Sequence, residues 1–129
     1  MRPQISPAER EHIQQMVARV ALRSLRPIGS RVRVTDVIGR VAYEMGVRRA
    51  DLISADRSAG LFRARAAVCW LARQLTQTSL PRIGAHLGGR HHTSVLAACR
   101  RAADMRERDP AFRQLTDRLV QHFRDIQED

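Results

Sequence analysis

Two adjacent glycines, Gly88-Gly89, break a run of helical spacing that extends from Ser79 to Arg101 (SLPRIGAHLGGRHHTSVLAACRR). Ahead of them, Ser79 can cap a helix by accepting a bond from an orphan backbone N–H, and Pro81 falls in the first turn, where a missing N–H costs nothing. Leu80, Ile83 and Leu87 share one side of that short helix. The glycines end it, being the residues best able to take positive φ. A second helix is predicted to begin near His91. Val95, Cys99, Ala102 and Arg106 recur at helical spacing, so the first three form an inward stripe that Arg106 ends at the surface. Thr93, Ala97 and Arg100 lie opposite.

A short capped helix, a glycine turn and a second helix with polar residues at its start form the layout of a helix-turn-helix. In that motif the first residues of the second helix meet base edges in the major groove.

The rest of the chain also reads as helix, so the expected class is all-α, a compact Trp-repressor-like helix-turn-helix domain over 30–129 with an extra N-terminal helix and loop over 1–29. Ser6 caps the extra helix, with Pro7 in its first turn and Glu9 completing a capping box. Ile13, Met16, Val17, Val20 and Ala21 mark its apolar face, and it ends before Pro27. Thr35 is expected to cap a helix carrying Val37, Ile38, Val41, Ala42 and Met45, closed by Gly46 as a left-handed cap. One short helical turn covers Ala50 to Ile53, and Ser54 to Gly60 is a polar loop. Leu61 to Thr76 forms a longer helix with Leu61, Ala64, Val68, Leu71, Ala72 and Leu75 inward. Trp70 points away from that stripe, so the N-terminal helix or a partner protein is expected to cover it. Asp109-Pro110 starts a last helix whose apolar residues are Phe112, Leu115, Leu119, Val120, Phe123 and Ile126. Only Arg31 to Val34 alternates as a strand would, and it is too short for a sheet.

A chain of 129 residues suits one domain with its own core. Its net charge of +10 and pI near 11.6 point to a polyanionic partner. All 23 basic residues are arginine. A genome rich in G and C accounts for arginine over lysine but not for the excess of positive charge. Arginine also grips phosphate and guanine bidentately, which lysine cannot. No apolar run is long enough to cross a bilayer and no signal-peptide layout is present, so no membrane partner and a cytoplasmic, nucleoid-associated location are expected. Cys69 and Cys99 lack metal or redox spacing and read as small buried apolar residues.

With these residues in view, Val32 to Phe123 resembles the C-terminal DNA-binding domain of the bacterial replication initiator DnaA. The block GGRHHTSVLAACR (Gly88 to Arg100) is close to that family's signature GGRDHTTV and the helix after it, and SLPRIG (Ser79 to Gly84) stands at the right distance before it. The stretch ADLISADRSAG aligns as well. The resemblance implies double-stranded DNA with initiator-box-like sites as the partner, no cofactor and no small-molecule substrate. It implies that Arg57 enters a narrow minor groove, where negative potential is concentrated. It implies that Arg65 and Arg73 lie near phosphates and set register. Leu80 and Pro81 would touch the backbone, and Arg90, His91, His92, Thr93 and Ser94 would form the tip of the recognition helix. The initiator's ATPase needs a phosphate-binding glycine loop with a lysine, and this sequence has neither, so it is not expected to be an enzyme.

Three departures stand out. His91 replaces an aspartate that can accept a bond from a cytosine amino group, which predicts an altered preference at that base pair and undiminished non-specific affinity. Ser94 replaces threonine and loses a methyl. Ala59 and Ala66 replace polar residues and are read as missing auxiliary anchors beside the groove contacts.

Other chemistries fit less well. His86, His91, His92 and Cys99 do not offer four converging zinc ligands, since Cys99 faces inward and His92 lies at the helix tip. Ser94 with His92 lacks a pocket and an orienting acid for nucleophilic catalysis. Asp104, Glu107 and Asp109 with Arg106 and Arg108 read as surface charge pairs. A second reading remains, in which the chain mimics the initiator's C-terminal domain and titrates an initiator-pathway protein, with His91, the N-terminal helix and Trp70 as its support.

Overall fold

A computed structural model describes residues 32–128, which form six helices and no strand. They are α1 (Val34–Met45), α2 (Arg49–Leu52), α3 (Ala59–Leu75), α4 (Leu80–His86), α5 (His92–Arg108) and α6 (Pro110–Glu128). The helix and loop expected over 1–29 lie outside the described residues.

The middle helix α3 is the hub, touching α1, α2, α5 and α6. Its expected inward residues are all buried, but so are Ala66, Ala67 and Cys69 between them. The one-sided stripe therefore understated its burial. Alanine makes the difference: with side chains this small at 64, 66, 67 and 72, neighbouring helices close on α3 from several directions. Ala66 is 0% exposed. It is a core residue, and the idea that it marks a missing surface anchor is corrected.

Elsewhere the local signals hold with shifted edges. Gly46 ends α1 in the left-handed conformation, φ 67°, its N–H turned back to the Ala42 and Tyr43 carbonyls. Thr35 is not the cap of that helix. The ladder starts two residues earlier, with Arg33 at the cap position and Asp36 reaching back to the Arg33 N–H at 3.0 Å. The alternation near Arg31 to Val34 has a simple outcome: Val32 and Val34 are both buried without any strand.

Trp70 is half-buried against the core and, among the described residues, Arg106 lies over its ring; the expected cover by the N-terminal helix falls outside the described residues. The guanidinium lies 4.2 Å from the indole centroid. It also donates to Thr116 Oγ1 at 2.5 Å and pairs with Asp117 at 2.8 Å. Arg106, expected to end the α5 stripe at the surface, instead lays its guanidinium over the ring and keeps it bonded. Of the stripe, Val95 and Ala102 are buried and Cys99 is half-buried.

The last helix is anchored at its start. Asp109 Oδ1 accepts from the Ala111 and Phe112 N–H groups at 3.0 and 3.2 Å, with Pro110 at the first helical position. Phe112, Leu119 and Phe123 are buried, while Ile126 lies outside at 47% exposure. The same Asp109 takes a 2.5 Å bond from Arg63 of α3.

Arg63 first, and then the Phe112 amide, hold the Asp109 carboxyl below its ordinary value. A carboxyl lowered by folding stabilises above its unfolded pKa and loses that contribution as pH falls through the folded value. Asparagine keeps the capping oxygen and removes the charge. Asp109→Asn should therefore melt below the wild type at pH 7, and the two should converge as pH falls through and below the ordinary aspartate range, as read by thermal unfolding.

Candidate nucleic-acid interface

Helix α4 starts with the expected cap, Ser79 Oγ accepting from the Arg82 N–H at 3.4 Å, and buries Ile83. Leu87 is buried just past its end. Gly88 and Gly89 follow at φ 79° and 82°. Gly84 is the tightest point of the turn, since a Cβ there would stand 1.9 Å from the Arg90 carbonyl oxygen. Its own carbonyl accepts from the N–H groups of Leu87, Gly89 and Arg90 at 3.1, 3.1 and 2.9 Å. A side chain at 84 would push the two helices apart.

His91 opens α5 as its cap. Its Nδ1 accepts from the Thr93 N–H at 3.2 Å and lies 2.8 Å from Thr93 Oγ1. An aspartate cap does the same work with an oxygen. The neighbouring His92 ring sits with its centroid 4.1 Å from that of His91. His91, His92, Thr93 and Ser94 are all exposed. Pro81 is exposed and Leu80 half-buried at the start of α4, and Arg73 is exposed in the last turn of α3.

The loop before α3 is built differently from what its polar sequence suggests. Asp56 N–H bonds Ser54 Oγ at 3.2 Å and Ser58 N–H bonds Asp56 Oδ1 at 2.9 Å, two side-chain turns that leave Arg57 exposed between them. Arg65 lies beneath. It is 6% exposed and donates to the Leu52 carbonyl at 2.8 Å, Asp51 at 2.8 Å, Ser54 at 2.9 Å, and Asp56. Burial first and the nearby Arg90 second lower its pKa. Arg65 was expected beside phosphates. Its guanidinium is instead spent on four carbonyls, two at the end of α2 and two in the loop, because a buried cation must have its donors satisfied. Arg90, expected at the tip, is likewise half-buried and bonded to the Leu87 carbonyl and, at 2.8 Å, to that of Ser54.

Arg57, Arg65, Arg90 and Ser94 line one cleft of about 510 Å³ with Phe62 and Val95, between the loop and the start of α5. Arg73, Leu80, Pro81, His91, His92 and Thr93 are not part of its lining. Charge separates along the same division. Between residues 53 and 103 the sequence has eight arginines and one acid, Asp56. Several described arginines elsewhere meet carboxylates: Arg40 and Arg118 with Glu44, Arg48 with Asp51, Arg108 with Asp104, and Arg113 with Asp117. Exposed Arg57, Arg82 and Arg100 have no ion pair among the described residues. This acid-poor window was visible in the sequence and is the signal that locates the basic face, including Arg82 and Arg100, which the motif did not single out.

Arg65→Lys keeps the charge but cannot reach four carbonyls. It should cost about 2 kcal/mol or more in chemical unfolding, given the usual loss for charged hydrogen bonds and stranded buried acceptors.

Comparison with known proteins agrees with this geometry. Residues 34–102, α1 through the first part of α5, match the family described as the bacterial dnaA protein helix-turn-helix. The chain is similar to the chromosomal replication initiator protein DnaA of Caulobacter vibrioides (strain NA1000 / CB15N), 40% identical over 78% of this chain and 20% of that protein. It is similar to the same protein of Rhodopseudomonas palustris (strain BisA53), 39% identical over 76% of this chain and 20% of the relative. For that of Laribacter hongkongensis (strain HLHK9) the identity is 41% over 70% of this chain and 19% of the relative. The chain thus spans about a fifth of the length of these relatives. It belongs to the family of bacterial DnaA helix-turn-helix domains.

Proposed function

We propose that this chain is a double-stranded DNA-binding module that docks on initiator-box-like sites and regulates replication initiation, or transcription from promoters carrying such sites, without ATPase activity of its own. One observation carries the reading: an exposed arginine loop and the exposed start of a helix-turn-helix helix flank a single cleft inside the acid-poor window. Arg57 reads a narrow minor groove, and His91, His92, Thr93 and Ser94 meet the edges and backbone of the adjoining major groove. Arg73 contacts phosphate, and Leu80 with Pro81 seats α4 against the strand. Arg65 serves from beneath, holding the loop that carries Arg57. Occupying a site without a motor gives competition with a full initiator as the regulatory effect, in the nucleoid.

The alternative, a mimic that titrates an initiator-pathway protein, rested in part on an uncovered Trp70. Arg106 covers that ring, which leaves the DNA reading favoured.

The test is fluorescence anisotropy with a box duplex and a scrambled duplex over a salt series. The wild type should prefer the box, and Arg57→Ala should reduce that preference by roughly tenfold or more. Equal affinity for both duplexes, unchanged by Arg57→Ala, would show the reading to be wrong. Arg73→Ala should weaken both duplexes alike and flatten the salt slope by about one contact. His91→Asp preserves a cap at the start of α5 and should shift base preference at one position. An unchanged preference would mean the position is not read.

A further inference from the structure

We infer that Arg90 is a positioning residue, a strut that fixes the Arg57 loop to the start of the recognition helix so that the two grooves are read by one rigid piece. The inference rests on the DNA reading above and deepens it. Arg90 precedes the cap residue of α5 by one position, yet its guanidinium faces back into the protein. One nitrogen, Nη1, donates to the Leu87 carbonyl and the other, Nη2, to the Ser54 carbonyl at 2.8 Å, three residues before Arg57. Ser54 O is also an acceptor for Arg65 at 2.9 Å. A single carbonyl therefore joins the buried support of the loop to the turn of the helix-turn-helix.

A second, independent contact closes the same joint. Gly88 lies so close to the loop that a Cβ on it would stand 2.1 Å from the Ile53 carbonyl oxygen. The turn and the loop thus touch at two successive residues, Ile53 and Ser54. The N–H of Arg90 is itself held by Gly84 at 2.9 Å, which locks its backbone to α4. From Ser54 the two side-chain turns at Asp56 and Ser58 carry the fixed geometry to Arg57. A loop held in its bound shape avoids the ordering cost of binding, and that is where the strut acts on affinity.

A phosphate-contacting arginine and a strut respond differently to lysine. Lysine restores a positive point charge but cannot bridge two carbonyls with the fixed fork of a guanidinium. Arg90→Lys should weaken box binding roughly tenfold, with the dependence of affinity on salt unchanged. Arg90→Gln, which removes the charge, should behave the same way. In the Arg57→Ala background, Arg90→Lys should have little further effect, because the strut has nothing left to position. In the free protein, ¹⁵N relaxation should show order parameters over residues 55–58 falling in both Arg90 variants while α3 stays rigid.

Wild-type salt dependence restored by lysine after a drop in Arg90→Gln would overturn the inference in favour of a phosphate contact. So would a full Arg90→Lys penalty persisting without Arg57, or unchanged loop order. If Arg90→Lys does not fold, Arg90→Gln carries the same readings. Should neither fold, the residue serves the fold at large, and the inference is overturned. Failure of the DNA reading looks different: the wild type itself then fails to distinguish box from scrambled duplex, whatever the loop does in the free protein.

Discussion

The buried guanidinium of Arg65 is the constraint on which the functional face depends. A short loop between a four-residue helix and α3 has few ways to satisfy its own carbonyls, and Asp51, Leu52, Ser54 and Asp56 all turn theirs toward this one side chain. Planar donors in a fixed fork suit such a cluster, and the always-charged head keeps the bonds strong in a largely buried place. The loop is thereby made part of the core although its outer residues are polar and exposed. Arg57 is carried outward on a platform held from inside.

Arginines among the described residues meet three chemical situations. Several on α1 and α6 meet carboxylates, as in Arg118 with Glu44 and Arg113 with Asp117. Arg65 and Arg90 meet backbone carbonyls, and Arg106 meets the Trp70 ring together with Thr116 and Asp117. Arg57, Arg82 and Arg100 face outward in a stretch nearly free of acid. A uniform composition of one cation therefore serves structure and electrostatic attraction at once, and burial decides which. The attraction is long-ranged and salt-sensitive, while the orientation of the bound state comes from the helix tip and the loop.

The helical class, the glycine turn, the Ser79 cap, the Asp109-Pro110 start and the Gly46 stop were legible because each rests on a local rule that acts within a turn of the chain. The exposure of His91 to Ser94 followed from the same spacing. What was not legible shares a different cause. Arg65 and Arg90 find acceptors 3 to 36 residues away that are backbone carbonyls, and a carbonyl has no residue-type signature. Ala66 resembles any small helix residue until α3 is seen to be enclosed, and Arg106 could not be matched with Trp70 before α3 and α5 were packed together. Tertiary contact, not propensity, settled those four positions.

The central claim is that the Arg57 loop and the start of α5 meet duplex DNA as one unit. Amide chemical shifts recorded while a box duplex is titrated into ¹⁵N-labelled protein address it directly. The account predicts that the signals of Arg57 and Ser58 and those of His91 to Ser94 move together along a single saturation curve, with the exposed face of α6 unmoved. Shifts confined to α1 and α6, or two groups of signals saturating at different DNA concentrations, would contradict it.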